Sequence, residues 1–267
     1  MVHPISGASP RRQRNRGGRV FWHHLGMNPT TPSNRAASAR TLADLDQPAA
    51  LLFDLDGTLV DTVQRRIDAW AEAFRRDGLI VDRTRLGAYI GSDGRWLARE
   101  LAREEGRELD YAETEELDRV SGAIFDELNS TPIPLPGATE LLTALEQSHL
   151  VFAIATSSRP GQVAASVDAL RLPAPPPITD GSHVVNAKPE PDLLLASAAQ
   201  LGIPPERCWY VGDSKWDMMA SVRAKMVAIG VTSGAVDADG LISAGAAVAV
   251  ASLTELLVEL RRRGAVR

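Results

Sequence analysis

Three observations predict an α/β fold: a doubly wound parallel sheet, Rossmann-like in its alternation, with an all-helical domain inserted into it. Short apolar runs recur and are each cut off by Gly, Asp, Ser or Thr, as buried strands are. Helically spaced segments separate most of these runs, the pattern of β–α–β units. Between Thr62 and Thr131, by contrast, strand signals are absent and only helical spacing is found.

The bulk properties agree with such a fold. A chain of 267 residues, 44% hydrophobic and 24% charged, is long enough for one domain or two around a sizeable core. A net charge of −5 offers no global basic field for nucleic acid. No apolar stretch approaches the ~20 residues of a membrane-spanning helix. The single cysteine, Cys208, rules out an internal disulfide framework and fits a reducing, cytoplasmic compartment. Its place in the run Cys208-Trp209-Tyr210-Val211 reads as buried strand rather than nucleophile. Residues 1–48, rich in Arg, Pro, Ser, Gly and Asn, read as a disordered or loosely attached extension. Arg11-Arg12 is followed by no apolar segment, so a twin-arginine export signal is rejected; Met27 is a second candidate start.

The first strand is the run Ala50 to Phe53, ending in Asp54-Leu55-Asp56-Gly57-Thr58. Side chains alternate along a strand, so Asp54 and Asp56 would face the same way at its carboxyl end, where open α/β sheets bind ligands. Gly57 permits a sharp turn that brings it and Thr58 close to an anion. A helix follows from Thr62 to about Arg76, with Asp61 or Thr62 as N-cap. Helical stretches at about Arg83–Tyr89, Gly94–Glu105 and Tyr111–Leu128 complete the insertion, and Pro132, Pro134 and Pro136 mark the return. The expected division is therefore a core of residues 49–61 and 136–267 and a helical domain of 62–135.

Alternation then resumes. Gly137–Gln147 reads as helix and Leu150–Thr156 as a strand ending in Thr156-Ser157-Ser158. Gly161–Leu170 is helix, Ile178 opens a weak strand, and Pro191–Leu201 is helix. Cys208–Val211 is a strand ending in Gly212-Asp213, and Trp216–Ala224 is helix. Strands at Met226–Val231 and Ala246–Val250 and a helix at Leu253–Arg262 close the chain.

Four motifs carry chemistry. The first is the Asp54/Asp56 loop. In the second, Ile154-Ala155-Thr156-Ser157-Ser158, hydroxyl and N–H groups beyond a strand end suit a phosphate oxygen. The third, Ala187-Lys188-Pro189-Glu190-Pro191-Asp192, fixes one of only three lysines beside prolines. The fourth, Val211-Gly212-Asp213-Ser214-Lys215-Trp216-Asp217, sets two carboxylates four residues apart where a helix follows a strand. If Asp54, Asp56, Asp213 and Asp217 cluster, their charges repel, and a divalent cation with oxygen ligands relieves this. Mg²⁺ suits carboxylates together with waters and a substrate phosphate. Lys188 adds positive charge for phosphoryl oxygens.

In these motifs the chain resembles the haloacid dehalogenase-like hydrolase superfamily, over roughly residues 49–260. Within it, the chain is similar to the helical-cap subfamily of phosphoglycolate phosphatases and β-phosphoglucomutases. The resemblance implies roles. Asp54 is the nucleophile that forms an aspartyl-phosphate. Asp56 is general acid and then general base. Mg²⁺ is held by the Asp54 carboxylate, the Asp56 carbonyl and Asp213, with Asp217 ligating or orienting. Thr156, the Ser157 N–H and Lys188 grip the phosphate. The resemblance also implies that the inserted helices close over the site and read the leaving group. The loop Tyr89-Ile90-Gly91-Ser92-Asp93-Gly94 is the best candidate substrate loop, with Gly91, Ser92 and Arg95 in contact. Arg66, Arg95 and Arg99 are candidates for a second anionic group, although most arginines of the insertion are expected to be solvated.

Relatives that break carbon–halogen bonds lack the second Asp of the first motif, so Asp56 argues for phosphate chemistry. The absence of lysine between Thr62 and Leu135 excludes Schiff-base cleavage of a phosphonate. Mutases usually carry His near the position of Arg66, which counts against that reading. Two lesser departures are Ala187 in place of Gly before Lys188, and Lys225 where Gly usually ends a helix in a left-handed conformation. The expected protein is a Mg²⁺-dependent phosphatase for a small phosphorylated metabolite such as phosphoglycolate or a sugar phosphate, monomer or homodimer, with no nucleic-acid or membrane partner. The alternatives are a sugar-phosphate mutase and a non-catalytic binding protein of the same fold.

Overall fold

The computed structural model of the protein describes residues 40–267; the expected extension as far as residue 39 lies outside them. Six strands form one all-parallel sheet: β1 (Ala50–Phe53), β2 (Val151–Ala155), β3 (Ile178–Thr179), β4 (Cys208–Gly212), β5 (Val227–Val231) and β6 (Val248–Val250). Their spatial order is β3-β2-β1-β4-β5-β6. The order reverses beside β1, which pairs with β2 on one side and with β4 on the other. A crevice outside the carboxyl ends of β1 and β4 is therefore the expected ligand position.

Both faces of the sheet are covered, as a parallel sheet requires. Alternation sends Leu51 and Phe53 to one side, against α5 (Ala138–Glu146) and α10 (Leu253–Arg262). Ala50 and Leu52 face the other, with Tyr210, against α7 (Asp192–Leu201) and α8 (Lys215–Arg223). In β1 and β4 every residue is buried, hence their continuous apolar runs. Two further core helices are α6 (Pro160–Ala169), whose Val163 joins the cluster of α5 and α10, and α9 (Ala238–Ser243), whose Leu241 packs with Met218 of α8. α9 has no counterpart among the helices expected from the sequence; it is six residues long and contains Gly240. Asp237 caps it by accepting a hydrogen bond from the Gly240 N–H at 2.8 Å.

Four helices lie between β1 and α5: α1 (Val63–Arg76), α2 (Arg83–Tyr89), α3 (Gly94–Glu104) and α4 (Tyr111–Leu128). They bury a separate apolar cluster that includes Trp70, Phe74, Leu86, Leu97 and Phe125. Thr62 holds the N-cap position of α1 but makes no capping hydrogen bond. Its hydroxyl is donated to Asp56 Oδ1 at 2.8 Å instead.

The expected start of the core at residue 49 needs correction. Leu42, in a 3₁₀ turn at Leu42–Asp44, is buried in the cluster shared by Phe53 and α10. Arg263 at the end of α10 donates to the Leu42 carbonyl and, at 2.7 Å, to that of Leu45. One buried leucine and two carbonyl anchors hold this segment where composition alone suggests a loose tail. Lys225 does take a left-handed φ of 61°, as its position after α8 implied. Among the described residues no helix is long and apolar enough to cross a membrane.

Candidate active site

The carboxyl ends of β1 and β4 bring together three buried carboxylates, Asp54, Asp213 and Asp217, each offering an oxygen within 4.8 Å of the others. The local sequence explains the placement. Ser214 caps α8, and Asp217 in its first turn folds back to accept hydrogen bonds from the Ser214 N–H at 2.9 Å and hydroxyl at 2.5 Å. A Cβ on Gly212 would lie 2.4 Å from the Asp217 carboxyl carbon, so glycine there makes room for this fold-back. Asp213 is packed just as closely: a Cβ on Gly57 would come 2.4 Å, and one on Gly234 2.0 Å, from its Oδ2.

Lys188 is fully buried among them. Its ammonium donates to Asp54 Oδ1 at 2.6 Å, Asp217 Oδ1 at 2.8 Å and the Tyr210 hydroxyl at 3.3 Å. The Tyr210 hydroxyl in turn donates to the Ala155 carbonyl at 2.9 Å and lies 3.2 Å from Asp217 Oδ1. Burial alone would drive the proton off Lys188, but Asp217 and Asp54 outweigh it and hold the amine charged. Burial pushes the Asp54 carboxyl up, to about 7, against the pull of Lys188 and with the help of Asp217. Burial and the Asp217 and Asp54 charges push Asp213 far up as well. With all three carboxylates ionised, the single ammonium would leave two negative charges uncompensated, which is why Asp54 and Asp213 are pushed toward their protonated forms; a divalent cation with oxygen ligands would relieve the same repulsion. The donor set thus fits Mg²⁺.

A cavity of about 220 Å³ opens from this cluster between the sheet and the inserted helices. Asp54, Asp56, Thr156, Ser157 and Lys188 line its floor. The Ser157 hydroxyl is buried on this floor without a hydrogen-bond partner. The Thr156 hydroxyl accepts the Ser158 N–H at 3.2 Å. Asp56 is held from three sides: by Thr62 on Oδ1, and on Oδ2 by the Ser158 hydroxyl at 2.6 Å and Arg66 Nη2 at 2.7 Å. Burial would raise the Asp56 carboxyl, but Arg66 and the hydroxyls of Ser158 and Thr62 outweigh it and hold it below the usual carboxylate range.

Comparison with known proteins agrees with this geometry. Residues 51–231 match the haloacid dehalogenase-like hydrolase family model, most of the chain. The chain belongs to this family. It is 30% identical to hexitol phosphatase A of Escherichia coli over 68% of this chain and 82% of that one. It is 29% identical to β-phosphoglucomutase of Bacillus subtilis over 69% and 84%. Among solved structures, a hydrolase from Pseudomonas syringae superposes with a TM-score of 0.77 at 34% identity, over 81% of this chain and 99% of that one.

Against the motifs of the haloacid dehalogenase-like family, the structure redistributes several residues. Asp54, Asp56, Thr156, Ser157 and Lys188 share one cavity floor, and Asp213 and Asp217 sit against Asp54. Thr58 is not turned to the anion: its hydroxyl donates to Asp213 Oδ1 at 2.8 Å. The Gly57 N–H is donated to the Val60 carbonyl at 2.8 Å, so this glycine makes space for Asp213 rather than offering its amide. Both residues therefore fix a carboxylate, a correction to the phosphate contacts expected of them. Asp217 accepts three hydrogen bonds, two from Ser214 and one from Lys188, with the Tyr210 hydroxyl 3.2 Å from its Oδ1.

Gly91, Ser92 and Arg95 do line the cavity. The loop presses onto the sheet: the Asp93 N–H donates to the Lys188 carbonyl at 2.9 Å, and a Cβ on Gly91 would meet Ser214 Oγ at 2.6 Å. The Ser92 hydroxyl, however, is donated inward to the Tyr89 carbonyl at 2.7 Å. Arg66 is not solvated. It is buried, crosses to Asp56, and lies 3.4 Å from the centre of the Phe125 ring. Sequence reasoning missed Tyr210, Ser233 and Gly234. The Tyr210 hydroxyl was hidden in an apolar run, whose alternation nevertheless puts it on the Leu52 face. The Ser233 hydroxyl donates to the Gly57 carbonyl at 2.6 Å, a contact no local pattern encodes.

Proposed function

We propose that the protein is a Mg²⁺-dependent phosphomonoesterase acting on a small organic phosphate through an aspartyl-phosphate on Asp54. The observation that carries this reading is the buried charge deficit around Asp54, with Lys188 beside it and the unpartnered Ser157 hydroxyl on the same cavity floor. Mg²⁺, held by Asp54 and Asp213, supplies charge neutralisation to the phosphoryl oxygens when bound. Asp54 Oδ attacks phosphorus, a covalent route open to carboxylates. Lys188 and the Thr156–Ser157 segment position the phosphoryl group, and positioning with charge stabilisation is most of what phosphoryl transfer asks of a protein. Asp56 is the general acid and base that the family resemblance implies. Held ionised by Arg66, Ser158 and Thr62 in this structure, it must turn from these partners and take up a proton before it can protonate the leaving oxygen, and it then takes a proton from the water that cleaves the acyl phosphate. Asp217, Tyr210 and Ser214 keep Lys188 in register. The inserted helices serve as a cap that shields the site from bulk water.

The similarity to a β-phosphoglucomutase makes an intramolecular transfer the reading to test against. A panel of phosphate esters is incubated with and without Mg²⁺, and inorganic phosphate is measured. Release that depends on Mg²⁺ supports the phosphatase. Isomerisation of a hexose 1-phosphate with negligible phosphate release contradicts it in favour of a mutase.

A further inference from the structure

The cavity wall opposite Asp54 is built by the inserted helices and the start of α6, and its charges are arranged in pairs. Arg95 donates to Asp93 Oδ2 at 2.9 Å and lies 3.6 Å from Glu115 Oε1. Arg159 donates to Glu115 Oε2 at 2.9 Å and lies 2.7 Å from Asp118 Oδ2. Arg66 is committed to Asp56. Every arginine that lines the cavity is therefore already matched by a carboxylate. With Asp54 and Lys188 assigned to the phosphoryl end and Arg66 paired with Asp56, the wall holds Asp93, Glu115 and Asp118 against Arg95 and Arg159, a net charge of −1.

The acceptor capacity left over lies on the acidic side. Both oxygens of Asp93 are engaged, by Arg95 and by the Trp96 N–H at 3.0 Å. Among the described residues, Asp118 has only its Arg159 contact. Gly94 brings α3 against it, since a Cβ there would fall 2.1 Å from Asp118 Oδ1 and 3.2 Å from the Trp70 ring. A carboxylate with unused lone pairs takes hydroxyl donors and repels a second anion. The indole of Trp70, which also lines the cavity, offers an apolar surface to the carbon chain between hydroxyls.

We propose that Asp118 and Glu115 are specificity-determining residues that select a phosphate monoester with an uncharged, polyhydroxylated leaving group and reject one with a second anionic group. This rests on the phosphatase reading above and narrows it. Phosphoglycolate and sugar bisphosphates, each with a second anion, are disfavoured; a hexitol or hexose monophosphate is favoured.

The test compares a hexitol monophosphate with the aldonic acid monophosphate that differs from it only in a terminal carboxylate in place of CH₂OH. p-Nitrophenyl phosphate serves as control, with Mg²⁺ present throughout. The wild type is expected to favour the hexitol ester by at least ~tenfold in kcat/KM, mostly through KM. Asp118→Asn and, independently, Glu115→Gln should narrow that preference by lowering KM for the carboxylate substrate, while a merely structural role would depress both substrates in parallel. Equal or better cleavage of the carboxylate substrate by the wild type overturns the inference and leaves the phosphatase standing. So does cleavage of p-nitrophenyl phosphate with neither sugar ester touched. Failure on all three esters overturns the phosphatase reading itself.

Discussion

The floor and the wall of the cavity are built on opposite principles. The floor, at the strand ends, is overdetermined: Asp217 receives three donors, Asp213 is wedged where Gly57 and Gly234 have no Cβ, and Lys188 is locked between carboxylates. Its charges nonetheless do not balance. The wall, on the inserted helices, is made of longer side chains that are about one-quarter to two-fifths exposed at Arg95, Glu115 and Arg159, and its charges nearly balance. On the proposed function, the rigid, unbalanced floor would hold a cation and a phosphoryl group, and the softer, paired wall would sort what is attached to them. The difference fits a division of labour in which chemistry is fixed by the sheet and selectivity is carried by side chains that can be exchanged without disturbing it.

The sharpest way to break that comparison is Asp54→Asn. Turnover should fall on the order of 10⁴-fold or more, as for loss of a covalent nucleophile. The fold should persist, because the change removes a buried charge rather than a packing group; circular dichroism and a melting curve check this. Mg²⁺-dependent turnover surviving in that variant would refute the assignment. A smaller effect is expected from Gly234→Ala, whose new methyl would overlap Asp213 Oδ2. We expect Mg²⁺ to bind about 10–100-fold more weakly, by calorimetric titration, with apo stability changed far less.

How much of this was readable beforehand follows the same divide. The three strand ends and their Asp, Thr–Ser and Gly–Asp tails were legible because strand length, alternation and turn residues are local properties. So were α2, α4 and α10, whose helical spacing gave their limits without error. The partners of those tails were not. Thr58 and Gly57 serve Asp213, 155 residues away in sequence from Thr58, and no local rule connects them. Arg66 was a candidate for a second anionic group of the substrate; only the fold shows that α1 starts so close to Asp56 that the guanidinium is drawn to that carboxylate instead. Leu42 was missed because two leucines, Leu42 and Leu45, in a polar tail are too few to establish a periodicity. On the wall, Asp118 and Glu115 were indistinguishable from ordinary helix-surface acids until α6 brought Arg159 to them.

The floor also predicts a pH dependence. Asp54 titrates at about 7 in the folded protein against 3.8 as its ordinary value, and Asp213 is raised in the same direction. A raised carboxyl contributes stability that is complete below its unfolded value and lost as pH rises through the folded one. Metal-free protein should thus lose stability between about pH 4 and pH 7. Mg²⁺ competes with those protons, so the rise in melting temperature it produces should be larger at about pH 8 than at about pH 5. An equal rise at both would mean that the cation does not bind these carboxylates. The smallest effect is expected outside the cavity altogether: Arg119→Ala, which removes an exposed pair with Glu116 on α4, should leave the melting temperature unchanged within error. A drop beyond error would show that the insertion depends on its surface pairs more than its apolar cluster suggests.

The most direct measurement is to trap the covalent state. Wild-type protein is mixed with Mg²⁺ and a phosphate ester it cleaves, quenched in acid within the turnover time, digested and examined by mass spectrometry. One phosphoryl group is expected on the peptide containing Asp54, absent without Mg²⁺ and absent in Asp54→Asn. Turnover with no phosphorylated peptide under conditions where the label survives, or a label on any other residue, would contradict the account.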